Sequence, residues 1–253
     1  MSLKIKFVFI WMVFGLLSAC ETVSTGTGSN ANEPVTARAR AHTELGAAYL
    51  QQSKYEIALD EFMQAIEIAP NYALAYNGLG LVRSALGQTV EAEAAFKKSI
   101  ELQPGSSESH NNYGSFLCGR GRYDESITHF LEAVKNPLYS TPNLAYANAG
   151  ICAARKNDTK NAEIYLSKAL QIDPLTHSAA YQLADIQFRR GDAATAKKTL
   201  QNALAASPTA EMLWLGVRIE RVLGGKDNEA SYALELRRQY PNAEQTRLLL
   251  SGK

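Results

Sequence analysis

A motif of about 34 residues recurs six times along this chain, and this repetition limits the possible fold more than any other feature. Its first copy spans residues 39–70, where a polar break at residues 52–54 separates two apolar stripes of helical period. The small residues Gly46 and Ala58 allow two antiparallel helices to approach closely, and Phe62 fills the seam between them. One such hairpin cannot bury its outer faces alone, so further copies must stack beside it.

The copies follow one another in register. The pair Leu45-Gly46 recurs as Leu79-Gly80, Tyr113-Gly114, Ala149-Gly150, Leu183-Ala184 and Val217-Arg218. A small residue near the start of each second helix recurs as Ala58, Ala92, Ser126, Ala162, Ala196 and Ala230. A large seam residue follows at Phe62, Phe96, Phe130, Leu166, Leu200 and Leu234, and a proline closes each copy at Pro70, Pro104, Pro137, Pro174, Pro208 and Pro241. This pattern resembles the tetratricopeptide repeat, whose period is about 34 residues.

The resemblance predicts an all-α fold, a right-handed superhelical solenoid of six tetratricopeptide-type helical hairpins plus a short C-terminal helix. We expect one array over residues 37–253, with repeats over about 39–72, 73–106, 107–142, 143–176, 177–210 and 211–242 and a capping helix over 243–253. Gly87 is predicted at a turn, where glycine takes a positive φ at least cost. Two extra residues near Pro137 and Pro142 predict a bend or a projecting loop. The segment Leu248-Leu249-Leu250 is expected to cover the end of repeat six.

The first twenty residues are a different kind of segment. Lys4 and Lys6 precede an apolar run over residues 7–17, which is too short to span a bilayer comfortably and is typical of a signal peptide. The sequence Leu17-Ser18-Ala19-Cys20 that follows resembles the bacterial lipobox. This resemblance implies cleavage before Cys20 and lipidation of that cysteine.

The residues after the lipobox indicate where the protein resides. Residues 20–36 are rich in Thr, Ser, Gly and Asn, which predicts a flexible tether between the lipid and the array. Glu21 stands where an aspartate commonly retains Gram-negative lipoproteins in the inner membrane. By resemblance, its presence favours a lipid anchor in the outer membrane, with the array facing the periplasm.

The charge balance limits the kind of partner that the protein can bind. The chain has 26 basic and 25 acidic residues, and loss of Lys4 and Lys6 with the signal peptide changes the net charge from +1 to −1. A nucleic-acid partner normally requires a basic surface, so none is expected.

Cys118 and Cys152 fall on the first helices of adjacent repeats. The periplasm permits a disulfide, but their places in the helices are not equivalent, so a disulfide and two buried thiols both stay open.

No constellation of reactive residues indicates catalysis. We find no zinc-like spacing, phosphate-binding glycine loop, nucleophile elbow or dinucleotide fingerprint. His42 and His110 occupy the seam position that Tyr76, Tyr146 and Trp214 fill in other repeats, which predicts packing roles. The Lys/Asn/Arg clamp with which chaperone-binding repeat domains hold a terminal carboxylate lacks its basic residues here. The sequence therefore predicts a protein that is not an enzyme and uses no cofactor, metal ion or small-molecule substrate.

Two segments resemble one family of repeat proteins in particular. Residues 111–117 (NNYGSFL) and 122–125 (RYDE) resemble the third repeat of the PilF/PilW family of type IV pilus lipoproteins, and residues 215–219 (LGVRI) and 236–241 (LRRQYP) resemble its sixth. This resemblance implies a pilotin, which binds the secretin subunit and promotes its outer-membrane localisation and multimerisation. The alternative is a lipoprotein adaptor that scaffolds other cell-envelope or peptidoglycan enzymes.

The partner-binding surface is predicted from a second stripe on each first helix, offset by about two residues from the packed stripe. In repeats one to three this stripe lines a concave groove with apolar and amide side chains, which suit an extended peptide. The predicted groove residues are Leu50, Leu74, Asn77, Leu81, Asn111 and Ser115. Burial of the three leucines between neighbouring helices is the alternative. A more apolar stripe in repeat six is expected to be covered by the C-terminal helix and comprises Met212, Leu215, Ile219 and Val222.

Overall fold

The computed structural model describes residues 33–252, and over this range the chain forms helices and no strand. The helices pair into six hairpins followed by one short helix, which confirms the predicted all-α solenoid. Their bounds are α1 Glu33–Gln51, α2 Tyr55–Ile68, α3 Ala73–Ala85, α4 Thr89–Leu102, α5 Ser107–Gly119, α6 Tyr123–Ala133, α7 Pro142–Arg155, α8 Thr159–Ile172, α9 His177–Arg189, α10 Ala193–Ala206, α11 Ala210–Leu223, α12 Lys226–Gln239 and α13 Glu244–Leu250. Residues 33–36 therefore belong to α1 rather than to the predicted tether.

A glycine and a large apolar side chain meet in the seam of each of the best-formed hairpins. A Cβ atom added at Gly80 would lie 2.7 Å from the Phe96 ring, and one added at Gly114 would lie 2.9 Å from the Phe130 ring. Only a residue without a side chain allows this approach. The predicted large seam residues of five repeats are at most 1% exposed, namely Phe62, Phe96, Phe130, Leu166 and Leu200. Burying each stabilises the fold by roughly 1.5–3 kcal/mol.

The second helix of repeat six departs from the predicted register. Leu234, predicted in the seam, is 61% exposed, and Ala230 is also exposed. Tyr232 packs against Gly216 instead, 3.0 Å from the position of an added Cβ atom. The shift begins before α11, because its N-cap Thr209 already follows Thr176, the N-cap of α9, by 33 positions rather than 34. One residue rotates a helical face by about 100°, so a different set of side chains faces the seam.

The turn inside each hairpin needs one residue with positive φ. Gly87 and Gly121 both have φ of 76°, which confirms the turn predicted at Gly87. Ser53 and Asn157 take the same place in repeats one and four, with φ of 58° and 66°. Asparagine enters this region more readily than most residues, and the serine has no such advantage.

The structure decides between a disulfide and two buried thiols, which the sequence left open. Cys118 on α5 and Cys152 on α7 form a disulfide with a Cα–Cα distance of 5.8 Å. Both residues are buried, at 8% and 0% exposure. The disulfide therefore joins repeats three and four, next to the place where the two extra residues interrupt the regular spacing.

The C-terminal helix α13 contacts the end of the array through both apolar and polar side chains. Leu249 packs against the cluster of Leu213 and Leu236, while Leu250 is 70% exposed. Thr246 is buried and donates a hydrogen bond to the Tyr240 carbonyl at 2.6 Å. The expectation that all three terminal leucines cover repeat six is therefore wrong for Leu250, because a short helix presents only part of its circumference to the array.

Candidate functional site

The predicted groove residues lie on the side of the array where the first helices meet. Each first helix from α1 to α11 contacts the next first helix, whereas the second helices α2 to α12 do not contact one another. In a curved stack the helices on the inside lie closest together, so the first helices form the inner face. Leu50, Leu74 and Leu81 come from α1 and α3, and Asn111 and Ser115 come from α5.

The inner-face asparagines bond to each other from repeat to repeat. Asn112 Nδ2 donates to Asn77 Oδ1 at 3.2 Å, and Asn148 Nδ2 donates to Asn111 Oδ1 at 3.1 Å. Asn77 is only 8% exposed. The structure thus brings the predicted asparagines together with two that the sequence reasoning did not select. Each acceptor oxygen is already engaged, which leaves amide hydrogens and second lone pairs for a partner.

The other predicted groove residues differ in exposure. Leu50 and Leu81 are half-buried and pack against the Phe62 and Phe96 clusters respectively, as the burial alternative anticipated. Leu74 is 41% exposed. Ser115 is exposed and donates to the Asn111 carbonyl at 3.0 Å. The inner face of these repeats is therefore polar, with Leu74 as its most exposed predicted leucine.

A second concave surface lies between α2 and α3, and we call it the α2–α3 groove. It has a volume of about 640 Å³. Its residues include Asp60, Met63, Ile66, Glu67, Tyr76 and Arg83. Met63 is 49% exposed, and the Arg83 Nε is buried with no hydrogen-bond partner in the described part of the chain.

The sequence reasoning missed the α2–α3 groove because it assigned Tyr76 to the seam of the hairpin. One signal was available. Arg83 occupies the seam position that Tyr49 and Leu117 fill 34 residues before and after it. A charged residue where both adjacent repeats carry an apolar one indicates a seam that opens to solvent.

The apolar stripe of repeat six does not form a free surface. Met212, Leu215 and Ile219 are at most 2% exposed and pack against Leu200 and Ala184 of repeat five. The expectation that the C-terminal helix covers this stripe is therefore wrong, since the neighbouring repeat does so. Val222, the last residue of the stripe, is 66% exposed.

An ionic network ties repeat two to repeat three. Glu93 accepts from Arg122 Nη1 at 2.7 Å, from Lys97 Nζ at 2.8 Å and from the Tyr113 hydroxyl at 3.1 Å. Hydrogen bonds from Arg122 and then Lys97 lower the pKa of Glu93 to about 2. Burial, together with the bond to Glu93, raises the pKa of Tyr113 to about 12. The network stabilises the junction, and its groups are engaged with each other.

Two histidines that look unrelated in the sequence are hydrogen-bonded in repeat three. His110 Nδ1 lies 2.8 Å from His129 Nδ1, and His110 Nε2 lies 2.9 Å from the Pro104 carbonyl. A carbonyl only accepts, so His110 carries its proton on Nε2 and accepts from His129 through Nδ1. Burial, and next the neighbouring His110, lower the pKa of His129. His42 bonds to Glu61 at the same spacing of 19 residues.

Three further observations bear on function. In the part of the chain that the structure describes, no three His, Cys, Asp or Glu side chains are placed to hold a metal ion. A helix with the length and apolar character to cross a bilayer is likewise not found among residues 33–252. Cys20 and the predicted signal peptide lie outside the described residues.

Comparison with known families agrees with the helical hairpins. Profiles of the tetratricopeptide repeat match residues 37–104, 95–128, 117–175 and 181–244. Together these ranges include four of the six hairpins in full and all but the first four residues of the other two.

Comparison with individual proteins indicates a narrower group. The chain is 29% identical over 204 residues to the type IV pilus assembly protein PilF of Pseudomonas aeruginosa, covering 80% of this chain and 81% of that protein. The solved structure of Pseudomonas aeruginosa PilF is similar with a TM-score of 0.77 and 26% identity, covering 87% of this chain and all of that one. The structure of PilW, described as a widely conserved type IV pilus biogenesis factor, has a TM-score of 0.73 and 29% identity, covering 84% and 98%.

Proposed function

The chain belongs to the tetratricopeptide repeat family, and on that premise we propose that it is a lipoprotein of the outer membrane that binds the type IV pilus secretin. In this role it acts as a pilotin and promotes localisation and multimerisation of the secretin. Similarity to PilF and PilW across more than four-fifths of the chain carries the proposal, since it places the protein in type IV pilus biogenesis. Tetratricopeptide repeats mediate protein–protein interaction, so binding rather than chemistry is the mechanism.

The location follows from the N-terminal sequence and is supported by the disulfide. Lipidation of Cys20 with a diacylglyceryl group and an amide-linked chain would supply the membrane anchor, since several acyl chains hold far more firmly than one. The Cys118–Cys152 bond suits an oxidising compartment such as the periplasm. Mass spectrometry of the membrane form is expected to show a lipid-modified N-terminal Cys20. A peptide that retains residues 7–17, or an unmodified Cys20, would overturn this part of the proposal.

Repeats one to three offer two surfaces for a secretin segment. The α2–α3 groove combines volume, exposed apolar atoms of Met63 and an unpartnered Arg83 Nε, so it is the first choice for the apolar side chains of the segment. The inner face around Leu74 and Ser115 is the second, because its amide groups suit an extended backbone. Both surfaces lie near the N-terminal end of the array.

Substitutions on each surface separate the two assignments. The purified protein would be used to capture detergent-solubilised secretin, with Met63→Glu testing the groove and Leu74→Glu combined with Leu81→Glu testing the inner face. Val90→Glu is the control, since Val90 is 79% exposed and lines neither surface. Each variant is first checked for unchanged helicity and melting. We expect Met63→Glu to lose capture. Loss of capture only by the inner-face variant would place the binding site on the inner face. Normal capture by all variants would place it outside these repeats.

The alternative function, an adaptor for other envelope enzymes, makes a different prediction in the same assay. Capture from whole envelope extract would then enrich a peptidoglycan or envelope enzyme and leave the secretin behind. Pilus assembly genes next to the gene for this chain would favour the secretin proposal.

A further inference from the structure

We propose that one edge of the array rests on the bilayer surface through a set of leucine and isoleucine side chains, which we call the leucine edge. It comprises Leu138, Leu144, Ile172 and Leu175, which are 88%, 44%, 48% and 48% exposed. Contiguous exposed apolar groups on a folded protein mark sites of contact with a protein or a membrane. The inference rests on the lipid anchor of the proposed function.

The loops before α7 and α9 each fix the backbone of an exposed leucine with the same kind of hydrogen bond. The Leu138 backbone N–H donates to Asn136 Oδ1 at 3.0 Å, and the Leu175 N–H donates to Asp173 Oδ1 at 3.0 Å. Such turns fix the backbone through a side-chain acceptor two residues earlier. Both leucines are therefore presented in a fixed direction, and little conformational freedom is lost when they meet a surface.

Polar bonds and packing join the two loops into one stiff edge. Asn143 Nδ2 donates to Thr176 Oγ1 at 2.9 Å and to Asp173 Oδ2 at 3.3 Å, which ties the start of α7 to the loop before α9. Tyr139, beside Leu138, is buried against Ala133 and Ala145. The loop that carries the two extra residues thus exposes Leu138 and buries Tyr139, which follows it.

The position of the N-terminus favours a bilayer as the surface contacted. Ala39 of α1 packs beside Tyr72 and Ala75 at the start of α3, and Ser99 bonds both to Ala73 and to Ser109 near the start of α5, so these first helices begin at a common edge. Helix α1 continues six residues beyond Ala39, to Glu33, which is about 9 Å at 1.5 Å per residue. We infer that α1 therefore begins at the edge that carries Leu138 and Leu175.

Tether length sets how far this edge can stand from the lipid. Twelve residues separate Cys20 from Glu33, and a fully extended chain of that length spans about 40 Å at most. A lipid on Cys20 would hold the leucine edge close to the bilayer. The effective concentration of lipid at that edge would therefore be high. Lys135, the basic residue nearest to Leu138 in the loop, is paired with Glu132, so the contact is apolar and depends little on salt.

Depth-dependent quenching of tryptophan emission tests the contact directly. The full lipoprotein, purified from membranes, would be reconstituted into phosphatidylcholine vesicles with and without brominated acyl chains. Leu138→Trp probes the leucine edge, and Val90→Trp is the matched control, because Val90 is 79% exposed at the start of α4, next to the turn at the other end of its hairpin. Emission from Trp214 is measured in the unsubstituted protein and subtracted.

We expect the Leu138→Trp emission to shift to shorter wavelength and to lose intensity in brominated vesicles, and the Val90→Trp emission to do neither. Equal behaviour of the two variants would overturn the proposal. Secretin capture is measured on the same samples. Absent quenching with normal capture overturns the bilayer contact alone, while quenching without capture overturns the secretin assignment alone. An emission change caused by secretin and not by lipid would show that the leucine edge binds protein.

Discussion

At the scale of single residues, the seam glycines decide how closely two helices approach. Gly80→Ala would place a Cβ atom 2.7 Å from the fully buried Phe96 ring. Such overpacking costs about 1–3 kcal/mol of the free energy of unfolding, offset in part by the higher helix propensity of alanine. Gly105→Ala is the control, because no atom lies within 4 Å of its added Cβ, and its effect should stay within about 0.5 kcal/mol. Urea unfolding that gives equal midpoints for both variants would contradict this account of the seam.

The bonded histidines make stability depend on pH. Burial lowers the pKa of His129 below 6.5, so the unfolded chain binds a proton more readily than the folded one. The free energy of unfolding is therefore expected to fall as pH drops below about 6.5. His110 on α5 and Glu125, Glu132 and Arg122 on α6 are the other charged or titrating groups near it, and they set the size of the effect.

The substitution His129→Gln isolates this dependence. Its amide can still donate to His110 Nδ1 but does not titrate, so the variant should lose less stability than the wild type between pH 7.5 and 5. Chemical unfolding at each pH provides the measurement. An identical pH slope in the two proteins would show that His129 contributes nothing to it.

At the scale of the helices, the disulfide fixes α5 against α7. Closing a loop of 34 residues in the unfolded chain is expected to stabilise the fold by about 2–4 kcal/mol. Cys118→Ala combined with Cys152→Ala should lower the melting temperature, and a reductant should lower that of the wild type to a similar value. If the reductant lowers the melting temperature of the double variant as well, it acts elsewhere and the disulfide account fails.

The helices also show what the sequence could and could not predict. Five hairpin seams were predictable because a glycine or alanine and a large apolar residue recur 16 positions apart, as at Gly80 and Phe96. In repeat six the same spacing exists as Gly216 and Tyr232, but alignment by a constant 34 residues selected Arg218 and Leu234 instead. The connection before α11 is shorter by one residue, and a pattern of fixed period does not show this.

The candidate site was less predictable than the fold. Its residues were chosen by their position on the first helices, and that position could not show that Asn77 is buried and bonded to Asn112. The α2–α3 groove depends on how far two repeats separate around Arg83, and that distance depends on packing across the whole seam rather than on any local motif.

At the scale of the whole molecule, the arrangement of the described helices agrees with the proposed function. The first helices form one continuous inner face, and the α2–α3 groove opens near the N-terminal end. In the further inference, helix α1 begins at the edge on which Leu138 and Leu175 are exposed. In the proposed function, the lipid supplies the membrane address and repeats one to three hold the secretin.

The most direct test of this account is the amount of heat- and detergent-resistant secretin multimer in a strain that lacks the protein. We expect the multimer to disappear while secretin monomer remains, and the full-length gene to restore it. The Met63→Glu variant should restore it poorly despite normal abundance, and the Val90→Glu variant should restore it fully. A deletion strain with normal levels of multimer would contradict the proposed function.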